Sequence, residues 1–173
     1  MPQDPVIYSS NLQSGLTLTD PTLTGAVKLQ EGFVNITAAT TLTAEDHAGR
    51  VMRFNVAAGV TVTLPAATGT GNRYRFIVNT TVTSAADIVA VVGNDGFFGM
   101  AYIVTDSDSV DLRVHGFKAA ADSDQISMNG TTTGGIAGDW IEVIDMAADR
   151  WYARCFLAAT GTEATPFLTG QVS

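Results

Sequence analysis

Two histidines, one cysteine and a cluster of aspartates are the residues with which this chain could do chemistry near neutral pH. Imidazole is the side chain that titrates in that range, yet neither histidine stands in a spacing that makes a base or a ligand set. His47, in "TAEDHAG", is expected in a polar turn or a short helical turn, and His115, in "LRVHGF", at a strand end. There is no G-x-S-x-G elbow for a serine nucleophile and no H-E-x-x-H pair for a metallohydrolase. Two histidines and one cysteine are too few for a structural zinc site. Cys155 has Tyr152, Ala153, Phe156 and Leu157 around it and no adjacent base, so an inert buried thiol is expected. No residue is assigned a catalytic role, and no enzyme activity or cofactor is expected.

The acids invite a different chemistry. "DSDSVDLRVHGF" places Asp106, Asp108 and Asp111 close together, and oxygen donors in that density suggest calcium. The helix–loop–helix calcium loop would need glycine at Asp111 and a bidentate acid at Phe117, so it does not apply. An irregular calcium loop with Asp122 and Asp124 as further donors stays open beside a solvated acidic loop. "GTGNRY" at 69–74 imitates the start of a dinucleotide fingerprint, but Tyr74 replaces the third glycine and a strand follows, leaving no helix N-terminus for a pyrophosphate. Its glycines are read as a hairpin connection. Trp140, Glu142 and Trp151 offer the parts of a sugar-binding face. The reading preferred for both tryptophans is the core of a C-terminal hairpin, "DWIEVIDMAADRWYARCF".

The elements that must position these residues are strands. Apolar spacing of three and four never persists, whereas alternation with β-branched residues recurs between Gly-rich and Asp-rich turns. Strands are expected at 16–19, 33–37, 40–43, 51–56, 60–64, 73–80, 87–92, 100–105, 110–114, 125–128, 140–146 and 151–157. The fold class that follows is all-β: one β-sandwich or barrel-like domain, jelly-roll-like among the options. Residues 33–158 form that domain, 1–32 an extended N-terminal arm rich in proline, and 159–173 a short C-terminal tail. The arm is expected to order by adding to a sheet edge, its own or a neighbour's, with Leu16 and Leu18 as contacts. Thr-x-Thr returns at 17/19, 41/43 and 61/63, which Thr-rich composition suffices to explain.

At 173 residues the chain buries roughly two-thirds of its unfolded surface without staples. Its net charge of −8, with Lys28 and Lys118 the only lysines, weighs against nucleic acid as a partner. No apolar run approaches the ~20 residues of a membrane helix. "MPQDPVIYSS" lacks the marks of an export signal, so the sequons at Asn35, Asn79 and Asn129 are read as accidental. "GFFGMAYIV" at 96–104 holds more large apolar residues than one inner face needs: Phe97, Phe98, Met100 and Tyr102 either fill the monomer's core or are covered by another copy. Both faces of "WIEVIDM" likewise carry apolar residues, as in a sheet covered on both sides.

Several of these stretches together resemble a family. Thr41 to Ala44 followed by Gly49, Gly59 with Val62, Leu64 and Pro65, the strand from Gly71 to Val78, and Gly138-Asp139-Trp140 set against Trp151-Tyr152 are similar to structural proteins of tailed bacteriophages. The likeness is greatest to capsid decoration (cement) proteins, and extends to head or tail fibre modules. It implies a non-enzymatic protein on the outer surface of the virion that binds the major capsid protein lattice and strengthens it, commonly as a homotrimer. The alternative it implies is a head or tail fibre module that recognises host surface glycans.

Overall fold

The computed structural model describes residues 32–105 and 113–170. Among these described residues twelve strands and one turn of helix follow in the order β1 (Val34–Ile36), β2 (Thr40–Thr41), α1 (Ala44–His47), β3 (Val51–Phe54), β4 (Thr61–Thr63), β5 (Arg73–Val78) and β6 (Asp87–Ala90). Then come β7 (Gly96–Thr105), β8 (Val114–Lys118), β9 (Gln125–Met128), β10 (Trp140–Ala147), β11 (Arg150–Ala159) and β12 (Phe167–Leu168). They form two packed sheets, β1-β3-β5-β10-β11-β7-β8 (sheet A) and β12-β9-β6-β4-β2 (sheet B). The molecule is therefore an all-β sandwich, and among the described residues neither sheet closes into a barrel.

Alternation decides which residues face inward. β5 reads RYRFIV, and Tyr74, Phe76 and Val78 are buried while Arg73, Arg75 and Ile77 point out. β10 buries Ile141, Val143 and Asp145, and β11 buries Trp151, Ala153, Cys155 and Leu157. Sheet B answers with Val62, Val89, Ile126 and Met128, all at 0 % exposure. Inside, Phe54 stacks on Phe76 with centroids 5.6 Å apart, and Tyr74 meets Trp151 edge-on at 5.6 Å.

The first six strands alternate between the sheets. β1, β3 and β5 stack parallel in sheet A, and β2, β4 and β6 stack parallel in sheet B. The chain thus winds as three turns of a flattened coil before β10 and β11 extend sheet A and β9 extends sheet B. This corrects the hairpin read at 69–72. β4 and β5 lie in different sheets, so the loop with Gly69 and Gly71, both at positive φ, is a crossover between layers. Five of the ten strand ladders among the described residues are parallel, which separates the arrangement from a wholly antiparallel jelly roll.

Strand bounds differ from expectation at three places. β7 begins at Gly96, four residues before the expected 100, because "GFFG" is paired along its length with β11. β8 sits at Val114–Lys118, later than the expected 110–114. Residues expected as tail include strand: Phe167 is 5 % exposed and pairs with Ile126 of β9. The expected strand at 16–19, the arm, and Leu16 and Leu18 lie outside the described residues.

Candidate functional site

Sheet A turns one face to the core and the other outward, and the outward face carries most of the large exposed apolar side chains among the described residues. Register aligns its side chains in rows across the strands. One row runs Ile77, Trp140, Phe156, Tyr102 and Gly116. The next runs Arg75, Glu142, Arg154, Met100 and Lys118, and a third Arg73, Ile144, Tyr152 and Phe98. On the other side of the first row Ala158 and Val104 continue to Val114.

The first row is aromatic and pre-ordered. Tyr102 and Phe156 stack at 5.7 Å, and Trp140 lies 6.0 Å from Phe156. Such pairs contribute about 0.5–1.5 kcal/mol beyond burial, so the rings hold one another although Phe156 remains 49 % exposed. Phe98, Met100, Val104 and Val114 extend the apolar surface, at 40, 47, 44 and 63 % exposure. Beside Tyr102, Gly116 adds no side chain, and an apolar groove of about 630 Å³ opens between Tyr102, Val104, Val114, Phe156 and the Ala137–Asp139 turn. Arg150 lies over the Phe98 ring at 4.7 Å, and Arg73 reaches Glu142 at 3.8 Å, giving the patch a charged border.

The structure divides the predicted contact residues. Phe98, Met100 and Tyr102 share the outer face, but Phe97 is 1 % exposed and belongs to the core, because neighbours in a strand point to opposite sides. Trp151, also at 1 %, is core and leaves the sugar-face set, whereas Trp140 and Glu142 are half-buried on the outer face. Sequence reasoning missed Phe156, which alternation within "WYARCF" places opposite the buried Cys155.

The titratable groups are engaged in holding loops. His47 ends α1, where its Nδ1 accepts from the Thr43 N–H at 3.1 Å. His115 Nδ1 lies 3.4 Å from Glu163 Oε2, and Glu163 also accepts from the Thr105 hydroxyl. Burial pushes the Cys155 thiol far up. Asp106, Asp108 and Asp111 lie outside the described residues. Asp124 accepts from the Gly170 N–H at 3.0 Å, and among the described residues no group of three or more His, Cys, Asp or Glu is placed to hold a metal.

Four buried aspartates, none foreseen, pin the crossovers. Asp145 accepts from the N–H groups of Thr68, Gly69 and Thr70 and from the Thr70 hydroxyl; burial raises its pKa, but these bonds outweigh it and the carboxyl ends below its usual range. Asp95 ties the Ala67 N–H to the Trp151 indole N–H. Asp139 accepts from Gly135, Ile136 and Ala158, yet burial dominates and raises it to about 6. Asp87 accepts from the Val60 N–H on one oxygen and has no partner on the other, and burial raises it to about 6.

A pH dependence follows. A carboxyl whose folded pKa is raised binds its proton more tightly folded than unfolded, so its contribution falls as pH rises from about 4 to about 6. The melting temperature is expected to be several degrees higher at pH 5 than at pH 7.5. Asp145, shifted the other way, contributes stability that is lost only as pH falls below about 4. Calorimetry across this range checks the sign, and Asp87→Asn is expected to flatten the rise between pH 7.5 and 5.

Searches against protein-family models, curated proteins and solved structures find no match.

Proposed function

We propose that this chain is a non-enzymatic decoration, or cement, protein that coats the outer surface of an assembled bacteriophage head as a homotrimer and strengthens it. The observation that carries the reading is the outer face of sheet A: an ordered aromatic row with flanking Phe98, Met100, Val104 and Val114, spread over four strands. An apolar surface of that kind gains free energy only when another macromolecule covers it. Among the described residues the titratable groups around it hold loops and form no reactive constellation, which favours assembly over turnover as the reading.

The acidic charge keeps free copies soluble before assembly. Repetition on a lattice then multiplies modest contacts into durable attachment. Closed symmetry lets each copy cover a neighbour's apolar patch.

A second reading draws on the same row. Trp140, Phe156 and Tyr102 beside Glu142 and Arg154 offer a ring platform with polar neighbours, the chemistry of a glycan-binding fibre module. Quantitative mass spectrometry of purified particles separates the two. Hundreds of copies per particle are expected for decoration; a few or tens would place the chain in a fibre, and absence from particles would overturn both.

A further inference from the structure

The outer face of sheet A carries a charge opposite to that of the chain as a whole. The chain has a net charge of −8 and nine Lys and Arg residues. Six of those nine, Arg53, Arg73, Arg75, Lys118, Arg150 and Arg154, stand at outward positions of this one sheet, where alternation and register place them. The strands of sheet A hold two acids, Glu142 and Asp145, and Asp145 points inward at 3 % exposure. Glu142 is thus the one carboxylate of the face against six cations. Much of the chain's acidity is withdrawn from the surface, since Asp87, Asp95 and Asp139 are buried with Asp145.

The cations are only partly engaged within the molecule. Arg73 reaches Glu142 at 3.8 Å, Arg53 donates to the Asn35 side chain at 2.8 Å, and Arg75 donates to the Gly49 carbonyl at 2.6 Å. Lys118, Arg150 and Arg154 have no carboxylate partner among the described residues. Arg150 and Arg154 lie instead over the rings of Phe98 and Tyr152, at 4.7 and 6.0 Å.

The rings between them have few free faces. Tyr102 and Phe156 are stacked with their planes 19° apart, and Trp140 is tilted 30° against Phe156, so the row spends its ring faces on itself. Binding a single-stranded nucleic acid requires a succession of open ring faces, which this row lacks. One side of one ring is open: Tyr102 pairs with Gly116, which has no side chain, and the groove of about 630 Å³ begins there. The adjoining row brings Arg154 and Lys118 to either side of Met100. Space for one inserted side chain, with unpaired cations close by, fits a protein surface that presents an apolar residue among carboxylates.

We infer that the outer face of sheet A docks on an acidic surface of the major capsid protein, an apolar side chain of that surface entering beside Tyr102 over Gly116 and its carboxylates meeting Arg154 and Lys118. The inference rests on the cement reading above and adds the chemistry of the partner. A second copy laid face to face would set cations against cations, a contact that costs free energy.

Co-sedimentation of the full-length protein with undecorated heads, across about 50 to 500 mM sodium chloride, tests it. The wild type is expected to lose about tenfold in apparent affinity over that range. Lys118→Glu with Arg154→Glu is expected to weaken attachment roughly a hundredfold at the low-salt end while melting within about 2 °C of wild type, and Lys118→Arg with Arg154→Lys to retain it. Gly116→Phe fills the slot from a position where a Cβ meets nothing within 4 Å, and is expected to weaken attachment at every salt. Attachment indifferent to salt, to the reversed pair or to Gly116→Phe overturns the inference and leaves the cement reading standing. Heads left bare by the wild type at every salt overturn both. A reversed pair that dissociates the free protein yet still saturates the heads gives these cations to a second copy, and a labelled single-stranded oligonucleotide bound at about 150 mM salt gives them to nucleic acid; either result overturns the inference.

Discussion

Gly99→Ala is expected to lower the melting temperature by on the order of 10 °C, or to prevent folding outright. Gly99 sits in the middle of β7 at φ +137°, opposite Ala153 of β11. A Cβ there would stand 1.8 Å from the Ala153 carbonyl oxygen, a backbone atom that cannot step aside without breaking the ladder. That ladder is the parallel β7–β11 pairing, ten residues long, which carries both the core row through Phe97, Ala101 and Ile103 and the outer row through Phe98, Met100 and Tyr102. Steric overlap of this depth combined with a backbone conformation that favours glycine places the change among the largest single-residue effects, about 3–5 kcal/mol. Gly116→Ala is the control. Its Cβ would meet nothing within 4 Å, and the melting temperature is expected to stay within about 2 °C of wild type. Thermal denaturation followed by circular dichroism reads both.

Tyr102→Asp combined with Phe156→Asp is expected to act in the opposite way, sparing the fold and removing assembly. Both side chains are outside the core, at 36 and 49 % exposure, and what they lose within the monomer is mainly their mutual stacking and the contact of Phe156 with Trp140. If the outer face is the covered surface, they are its central anchors, and anchors of this type carry about 2 kcal/mol or more each. Two together, replaced by charges that resist desolvation, weaken association roughly a thousandfold. A near-native melting temperature with a monomeric scattering mass is the expected pair of results. An unaltered oligomer would show that the copies meet elsewhere.

Much of the architecture was legible because alternation is a local signal. RYRFIV places Tyr74, Phe76 and Val78 on one side wherever the strand ends up, and "DWIEVIDMAADRWYARCF" is the hairpin it reads as. What alternation does not carry is which sheet a strand joins. The nine residues between β4 and β5 have the glycines of a hairpin, yet they cross between layers, and the aspartate that holds them, Asp145, is 75 or more positions away in the chain. The same non-local dependence hid Asp87 and Asp95, whose role as loop anchors exists only once distant N–H groups converge on them, whereas Asp139 takes two of its donors, Gly135 and Ile136, from its own turn and the third from Ala158. The surplus of apolar residues at 96–104 was visible, but its division was not drawn: Phe97 and Phe98 are adjacent, so one had to be core and the other surface. Phe156 joins that surface through the parallel pairing of β11 with β7, a contact between residues more than fifty positions apart.

We propose the outer face of sheet A as the surface by which copies of this chain cover one another and an assembled head. Mixing the wild type and the Tyr102→Asp/Phe156→Asp variant with undecorated heads, sedimenting them and imaging the pellets decides whether it is. The wild type is expected to saturate the heads at regular lattice positions, and the folded variant to stay in the supernatant. A wild type that remains a monomer and leaves the heads bare, or a variant that decorates them as fully as the wild type, would contradict the claim.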